Sequence, residues 1–166
     1  VVWCNDTPGF VGNRIGVEEL AHVLNLIPKY GAEMIDYVLG KHMLGRGGKP
    51  VVTCEMIGLE TMVLVGDDIY KGTSPLDNGF GVMPIPDFLR AMVTNGQLGA
   101  KTGKGFYAKK GKEVYDLTTG TYVPTARLGK GGPTLESVEL AKKAKTFEER
   151  VKIMFEAKDQ GGEIWR

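Results

Sequence analysis

Apolar residues recur at three- and four-residue steps through the first half of the chain, then give way to short alternating runs and finally to charged segments with narrow apolar stripes. Over residues 13–27, Val17, Leu20, Leu24 and Ile27 fall on one helical face, and Pro28 and Gly31 are expected to break the helix. Met34, Ile35, Val38, Leu39 and Met43 predict a second helix over 32–44 despite Gly40, ended by the Gly45-Arg46-Gly47-Gly48-Lys49-Pro50 run. A third, over 53–69, carries Met56, Leu59, Met62, Val63 and Val65 and is apolar nearly all round, as a central core helix is. Ile85-Pro86-Asp87 opens a fourth with a proline and an acid in its first turn, and Asn95-Gly96 closes it.

Beyond Gly96 the period shortens. Gly105-Phe106-Tyr107, Val114-Tyr115-Asp116-Leu117 and Thr121-Tyr122-Val123, separated by Lys-Gly-Lys and Thr-Thr-Gly turn signals, predict a small hairpin or three-strand meander. Residues 129–133 read as a hinge. Two charged helices follow over 134–145 and 146–157, the second opened by a Thr146/Glu149 capping box. There is no internal repeat. The apolar start Val1-Val2-Trp3-Cys4 reads like the end of a buried strand, so the chain is expected to be a piece of something longer.

Composition narrows the function classes. With 42% hydrophobic and 25% charged residues the 166-residue chain is ordinary globular material. Twenty-one basic residues against 20 acidic give a net charge of +1, so no global field favours nucleic acid or an anionic membrane. Cys4 and Cys54 form no C-x-x-C pair and accompany only two histidines, which points to neither a disulfide framework nor a metal site. A soluble, cytoplasmic protein is expected, since no run of apolar residues is long enough to span a bilayer.

Nucleotide chemistry is poorly served by the motifs. Gly103-Lys104-Gly105-Phe106-Tyr107-Ala108 has dinucleotide-like glycine spacing, but it follows a loop and leads into a strand, reversing the strand–glycine–helix context that holds a pyrophosphate. No cofactor-binding residue is therefore assigned. None of Gly40-Lys41, Gly48-Lys49, Gly103-Lys104 and Gly111-Lys112 is followed by Ser or Thr, so there is no phosphate-binding P-loop. Lys101, Lys104, Lys109, Lys110 and Lys112 read as a solvated hairpin, or as holders of a ligand's phosphate groups or of nucleic acid. His42 falls on the stripe of the second helix, where a packed histidine is the ordinary outcome. Residues 6–14 offer more: a proline-glycine turn, Phe10 as a buried aromatic, then Asn13 at a helix mouth. Asn13 is either an N-cap or an amide whose NH2 donates to a polarised oxygen of a substrate.

The string Asn5-Asp6-Thr7-Pro8-Gly9-Phe10-Val11-Gly12-Asn13-Arg14-Ile15 closely resembles the D-T-P-G-F-x-x-N-R signature that follows the nucleotide-binding domain of 3-hydroxyacyl-CoA dehydrogenases. Ile57-Gly58-Leu59-Glu60-Thr61 is similar to that family's G-L-D-T, and Lys101-Thr102-Gly103-Lys104-Gly105-Phe106-Tyr107 to its K-T-G-x-G-F-Y, in the same order. Two departures stand out: Gly48-Lys49-Pro50-Val51-Val52 replaces the usual glycine-proline-phenylalanine segment, and Glu60 stands for aspartate. The resemblance covers residues 1–108, with 109–166 as hairpin, linker and helical extension toward a following domain. It implies a mainly α fold, a helical bundle of the type found at the C-terminus of 6-phosphogluconate dehydrogenase, with a small β meander.

It further implies that the parent enzyme oxidises L-3-hydroxyacyl-CoA to 3-oxoacyl-CoA in fatty-acid β-oxidation. In the family a histidine–glutamate pair and NAD both belong to the nucleotide-binding domain, and an asparagine matching Asn13 helps hold the substrate. The implied partners are an acyl-CoA and a second subunit or second helical copy. Alone, the chain would be inactive, because hydride transfer needs a positioned nicotinamide and a base within reach of the hydroxyl. A purely structural assembly module, or the helical part of another hydroxyacid dehydrogenase, are the competing readings.

Overall fold

A computed structural model describes residues 1, 3–4, 6–40, 48–77, 80–81 and 84–166. Five helices form the first part: α1 (Phe10–Tyr30), α2 (Ala32–Val38), α3 (Pro50–Ile57), α4 (Leu59–Lys71) and α5 (Asp87–Thr94). An antiparallel meander follows, β1 (Tyr107–Ala108), β2 (Glu113–Asp116) and β3 (Thr121–Pro124), in sequential order. Its register pairs Tyr107 with Val114 and Tyr115 with Tyr122. Helices α6 (Glu136–Lys143), α7 (Phe147–Glu156) and α8 (Gln160–Trp165) complete the chain. The mainly helical fold, the meander, the fourth predicted helix and the Thr146/Glu149 capping box all appear as the sequence predicts.

Several boundaries differ, each for a physical reason. Helix α1 starts at Phe10, because Gly9 at φ 78° turns the chain directly into the helix. Asn13 is therefore inside the helix and caps nothing. Phe10 is 66% exposed, not buried. Pro28 lies within α1 rather than ending it, since in the last turn its missing N–H costs one bond; Gly31 supplies the stop by donating to the Ile27 carbonyl at 2.8 Å. The second helix ends at Val38 with Leu39 as its C-cap; His42, Met43 and the rest of 41–47 lie outside the described residues. The segment read as one helix over 53–69 is two, α3 and α4. They are broken at Gly58, which sits at φ 100° and packs against the Glu60 carboxylate.

Leu20, Leu24, Ile27, Ile35, Val38, Val51, Leu59, Met62, Leu89, Met92 and Phe106 form one buried cluster, and it continues into Val138, Ala141, Met154 and Ile164 of the last three helices. The extension thus shares the core. Its polar attachments are to α1 and α2. Both Glu33 oxygens accept backbone N–H groups, from Ala126 at 2.8 Å and Leu128 at 3.1 Å. The Tyr37 hydroxyl donates to Glu139 at 3.0 Å and accepts from the Leu135 N–H at 3.1 Å. Tyr30 reaches Glu163.

Candidate functional site

The segment before α1 is held by a set of small contacts that account for most of its unusual composition. Arg14 donates to Thr7 at 3.2 Å and pairs with Asp77 at 3.3 Å, tying the entry strand and the loop after α4 to the first turn of α1. Pro8 lies so close to Gly72 that a Cβ there would come within 2.7 Å of its ring. Gly9 is required twice, by its left-handed φ and because a Cβ would meet Ile69 at 2.6 Å. The turn is thereby pressed onto α4.

Phe10 and Asn13 are among the residues of this string left without a role in the fold. Phe10 is largely exposed, and Asn13 is exposed with no hydrogen-bond partner among the described residues. Both border a hollow of about 380 Å³ whose other walls are Gly9, Leu64, Val65, Asp68 and Ile69. An uncommitted amide beside an apolar wall can orient an oxygen of a ligand whose hydrocarbon lies on Leu64 and Phe10. Leu64 and Asp68 escaped sequence reading because an exposed leucine on a helix assumed to be all core carries no signal of its own.

The other two sequence motifs are joined to each other. Lys101, the first residue of Lys101-Thr102-Gly103-Lys104-Gly105-Phe106-Tyr107, forms an ion pair with Glu60 of the Gly58-Leu59-Glu60-Thr61 string, and the lysine's hydrogen bond holds the Glu60 carboxyl below the usual carboxylate range. The glutamate that departs from the family's aspartate thus keeps a partner. Gly99 and Gly105 allow this strand to lie against α3: a Cβ on Gly99 would fall 2.6 Å from the Glu55 carbonyl oxygen, and one on Gly105 would overlap the Glu55 carboxylate. Phe106 is fully buried.

Tyr107 completes a buried polar corner. Its N–H donates to Glu55 at 2.9 Å and its hydroxyl to Asp36 at 2.8 Å, while the other Asp36 oxygen accepts the Val51 N–H at 2.8 Å in the first turn of α3. Burial pushes Asp36 up to about 6, opposed by the bonds from Tyr107 and Val51 and by nearby Lys49. Burial likewise raises Glu55, raises the Cys54 thiol to about 12 and raises the Tyr107 phenol, the last two with help from the Asp36 charge. A thiol so placed is inert, and the corner fastens α2, α3 and β1 together.

The glycine string does not fit a dinucleotide. Gly103 closes a 3₁₀ turn over Ala100–Thr102, Lys104 bridges to Gly99, and Gly105 leads into β1 against Glu55, so no helix N-terminus is offered to a pyrophosphate. Among the described residues, no cluster of His, Cys, Asp and Glu could hold a metal ion, and no helix is long and apolar enough to cross a membrane.

Fold and site together define a helical domain in which an exposed Asn13 amide borders an apolar hollow between α1 and α4. Residues 9–109 match the family model described as 3-hydroxyacyl-CoA dehydrogenase, C-terminal domain; the chain belongs to that family. It is 31% identical over 167 residues to a probable 3-hydroxyacyl-CoA dehydrogenase of Bacillus subtilis, a match covering 99% of this chain and 20% of that protein. It is 39% identical over 113 residues to a probable 3-hydroxyacyl-CoA dehydrogenase of Deinococcus radiodurans, covering 66% of this chain and 31% of that one. The crystal structure of FadB2 from M. tuberculosis superposes with a TM-score of 0.56 at 30% identity, over 65% of this chain and 36% of the other. The chain therefore spans no more than about a third of these relatives.

Proposed function

We propose that this chain is the substrate-pocket and subunit-contact part of an NAD-dependent 3-hydroxyacyl-CoA dehydrogenase acting on L-3-hydroxyacyl-CoA in fatty-acid β-oxidation. The observation that carries the reading is Asn13, an exposed amide with no bond to the rest of the fold, beside a hollow walled by Phe10, Leu64 and Val65. In this reading its NH2 donates to the substrate oxygen at C3, and the apolar wall receives the start of the acyl chain. NAD and the proton acceptor belong to a nucleotide-binding domain outside this chain, whose own glycine string cannot hold a dinucleotide. The isolated chain is then inactive.

The test is Asn13→Ala in the complete enzyme. A helix-interior amide that bonds nothing should change stability by less than about 0.5 kcal/mol, while loss of one donor to a developing charge lowers turnover on the order of a hundredfold. Normal turnover in a folded variant would remove Asn13 from the mechanism and leave the chain a structural module.

A further inference from the structure

A recess of about 750 Å³ lies where the extension meets the helical domain. One wall is α2 with Asp36 and Tyr37; the other is the corner of the meander and the linker that follows β3. Lys49, Lys112, Arg127, Lys130 and Lys142 all border it. Of these, Lys142 is paired with Glu139, and Lys49 acts on Asp36. Lys112, Arg127 and Lys130 have no side-chain partner among the described residues. The two carboxylates in the recess are already committed: Glu33 to two backbone N–H groups, and Asp36 to Val51 and Tyr107. Among the described residues the balance of uncommitted charge is positive.

The linker that presents these cations is prearranged. Arg127 sits at φ 56°, a conformation rare for a residue with a side chain. Its carbonyl accepts the N–H groups of Lys130 at 2.8 Å and Gly132 at 3.2 Å, which closes a tight turn and sets Arg127 and Lys130 on the rim of one recess. Pro124 and Leu128 add an apolar patch beside them. The size lies within the range of small-molecule sites and exceeds what a bare inorganic anion fills. All but Lys49 of the cations come from beyond residue 109, where the family match ends, so the recess belongs to the extended chain that also matches the Bacillus relative.

We propose that this recess binds a diphosphate ester, its phosphates held by Arg127, Lys112 and Lys130 and its organic group resting on Leu128 and Pro124. Guanidinium and ammonium groups from separate segments would converge on one polyanion, each contact a charge-assisted hydrogen bond.

ADP serves as the probe, titrated calorimetrically into the 166-residue chain, with pyrophosphate and adenosine in parallel. The expected result is saturable binding of one ADP per chain that weakens between about 50 and about 200 mM salt, weaker binding of pyrophosphate, and none of adenosine. The Lys112→Gln, Arg127→Gln double variant should weaken ADP at least about tenfold, the loss of one charge-assisted bond being worth that much. Lys130→Gln should weaken it less, and Lys145→Gln, which lies off the recess, should change nothing. Melting curves superimposable on those of the parent chain establish that the variants fold. Absence of ADP binding up to about millimolar concentration, or binding indifferent to both Lys112/Arg127 and Lys130 substitutions, overturns the site. Pyrophosphate binding as tightly as ADP overturns the organic half of it.

Discussion

Asp36 is the residue whose chemistry and packing are most closely coupled. It is 1% exposed, yet it caps the first turn of α3 and accepts the Tyr107 hydroxyl. Burial raises its proton affinity from 3.8 to about 6. A carboxyl raised on folding favours the native state while protonated. Its contribution is therefore complete below about pH 4 and is lost as pH rises through about 6. The two values bound that loss at on the order of 3 kcal/mol. Glu55, also raised by burial, acts with the same sign, opposed by the backbone N–H groups of Tyr107 and Phe106, while Lys49 opposes the shift of Asp36. Stability measured by denaturant unfolding should decline between pH 4 and 6.5 relative to Asp36→Asn. That variant keeps an acceptor for Val51 and a donor toward Tyr107 but has no charge to bury. Parallel pH profiles for the two proteins would show that Asp36 is ionised without penalty.

Among the elements, the corner between α3 and the strand leading into β1 tolerates least. Gly99→Ala places a methyl 2.6 Å from the Glu55 carbonyl oxygen and forces a side chain into φ 93°. A loss of about 2–4 kcal/mol is expected from overpacking plus backbone strain, visible as a lower urea midpoint with unchanged slope. A midpoint within error of the parent would mean the strand is free to move off α3. Such contacts set how much was legible in the sequence. Helix α5 and the capping box of α7 were readable because proline, acids, glycine and a Thr/Glu pair act locally. The start of α1 was not, since Phe10, Val11 and Ile15 are exposed and a periodicity built on buried Val17 and Leu20 could not reach them. The α3/α4 break was hidden by apolar residues on both sides of Gly58. Helix α8 was missed because Gly161-Gly162 argues against a helix. There the glycines are required: Gly161 packs on Ser137, and Gly162 packs on Ala157 and donates to Asp159, the N-cap, at 3.2 Å. For the proposed site, the motif singles out Asn13, whereas Leu64 and Asp68 come to border the same hollow only through the packing of α4 beside Gly9.

On the scale of the whole molecule, what matters is which apolar surface the extension leaves uncovered. Its helices bury Val138, Met154 and Ile164 in the common core and bond to Tyr37 of α2 and Tyr30 at the end of α1, while the linker before them bonds to Glu33 of α2. The other end of α1 gains nothing from this: Phe10 and Ile15 remain 66% and 61% exposed, and Leu64 of α4 is 69% exposed. Phe10 and Leu64 border one hollow, while Val11 and Ile15 border its neighbour along α1. An exposed apolar stretch running between two helices marks a surface that meets protein. The subunit contact in the proposed function places the Val11 and Ile15 part of this stretch against a second copy and leaves the hollow beside Asn13 to the substrate, so the chain alone should self-associate. Sedimentation from about 1 to about 100 µM should show a concentration-dependent shift toward dimer. Ile15→Lys should abolish it by placing a charge that must be desolvated at the contact, without lowering the melting temperature, since the side chain is 61% exposed in the monomer. A single monomeric species across that range, or an Ile15→Lys variant that associates as well as the parent, would overturn the subunit-contact role of this face.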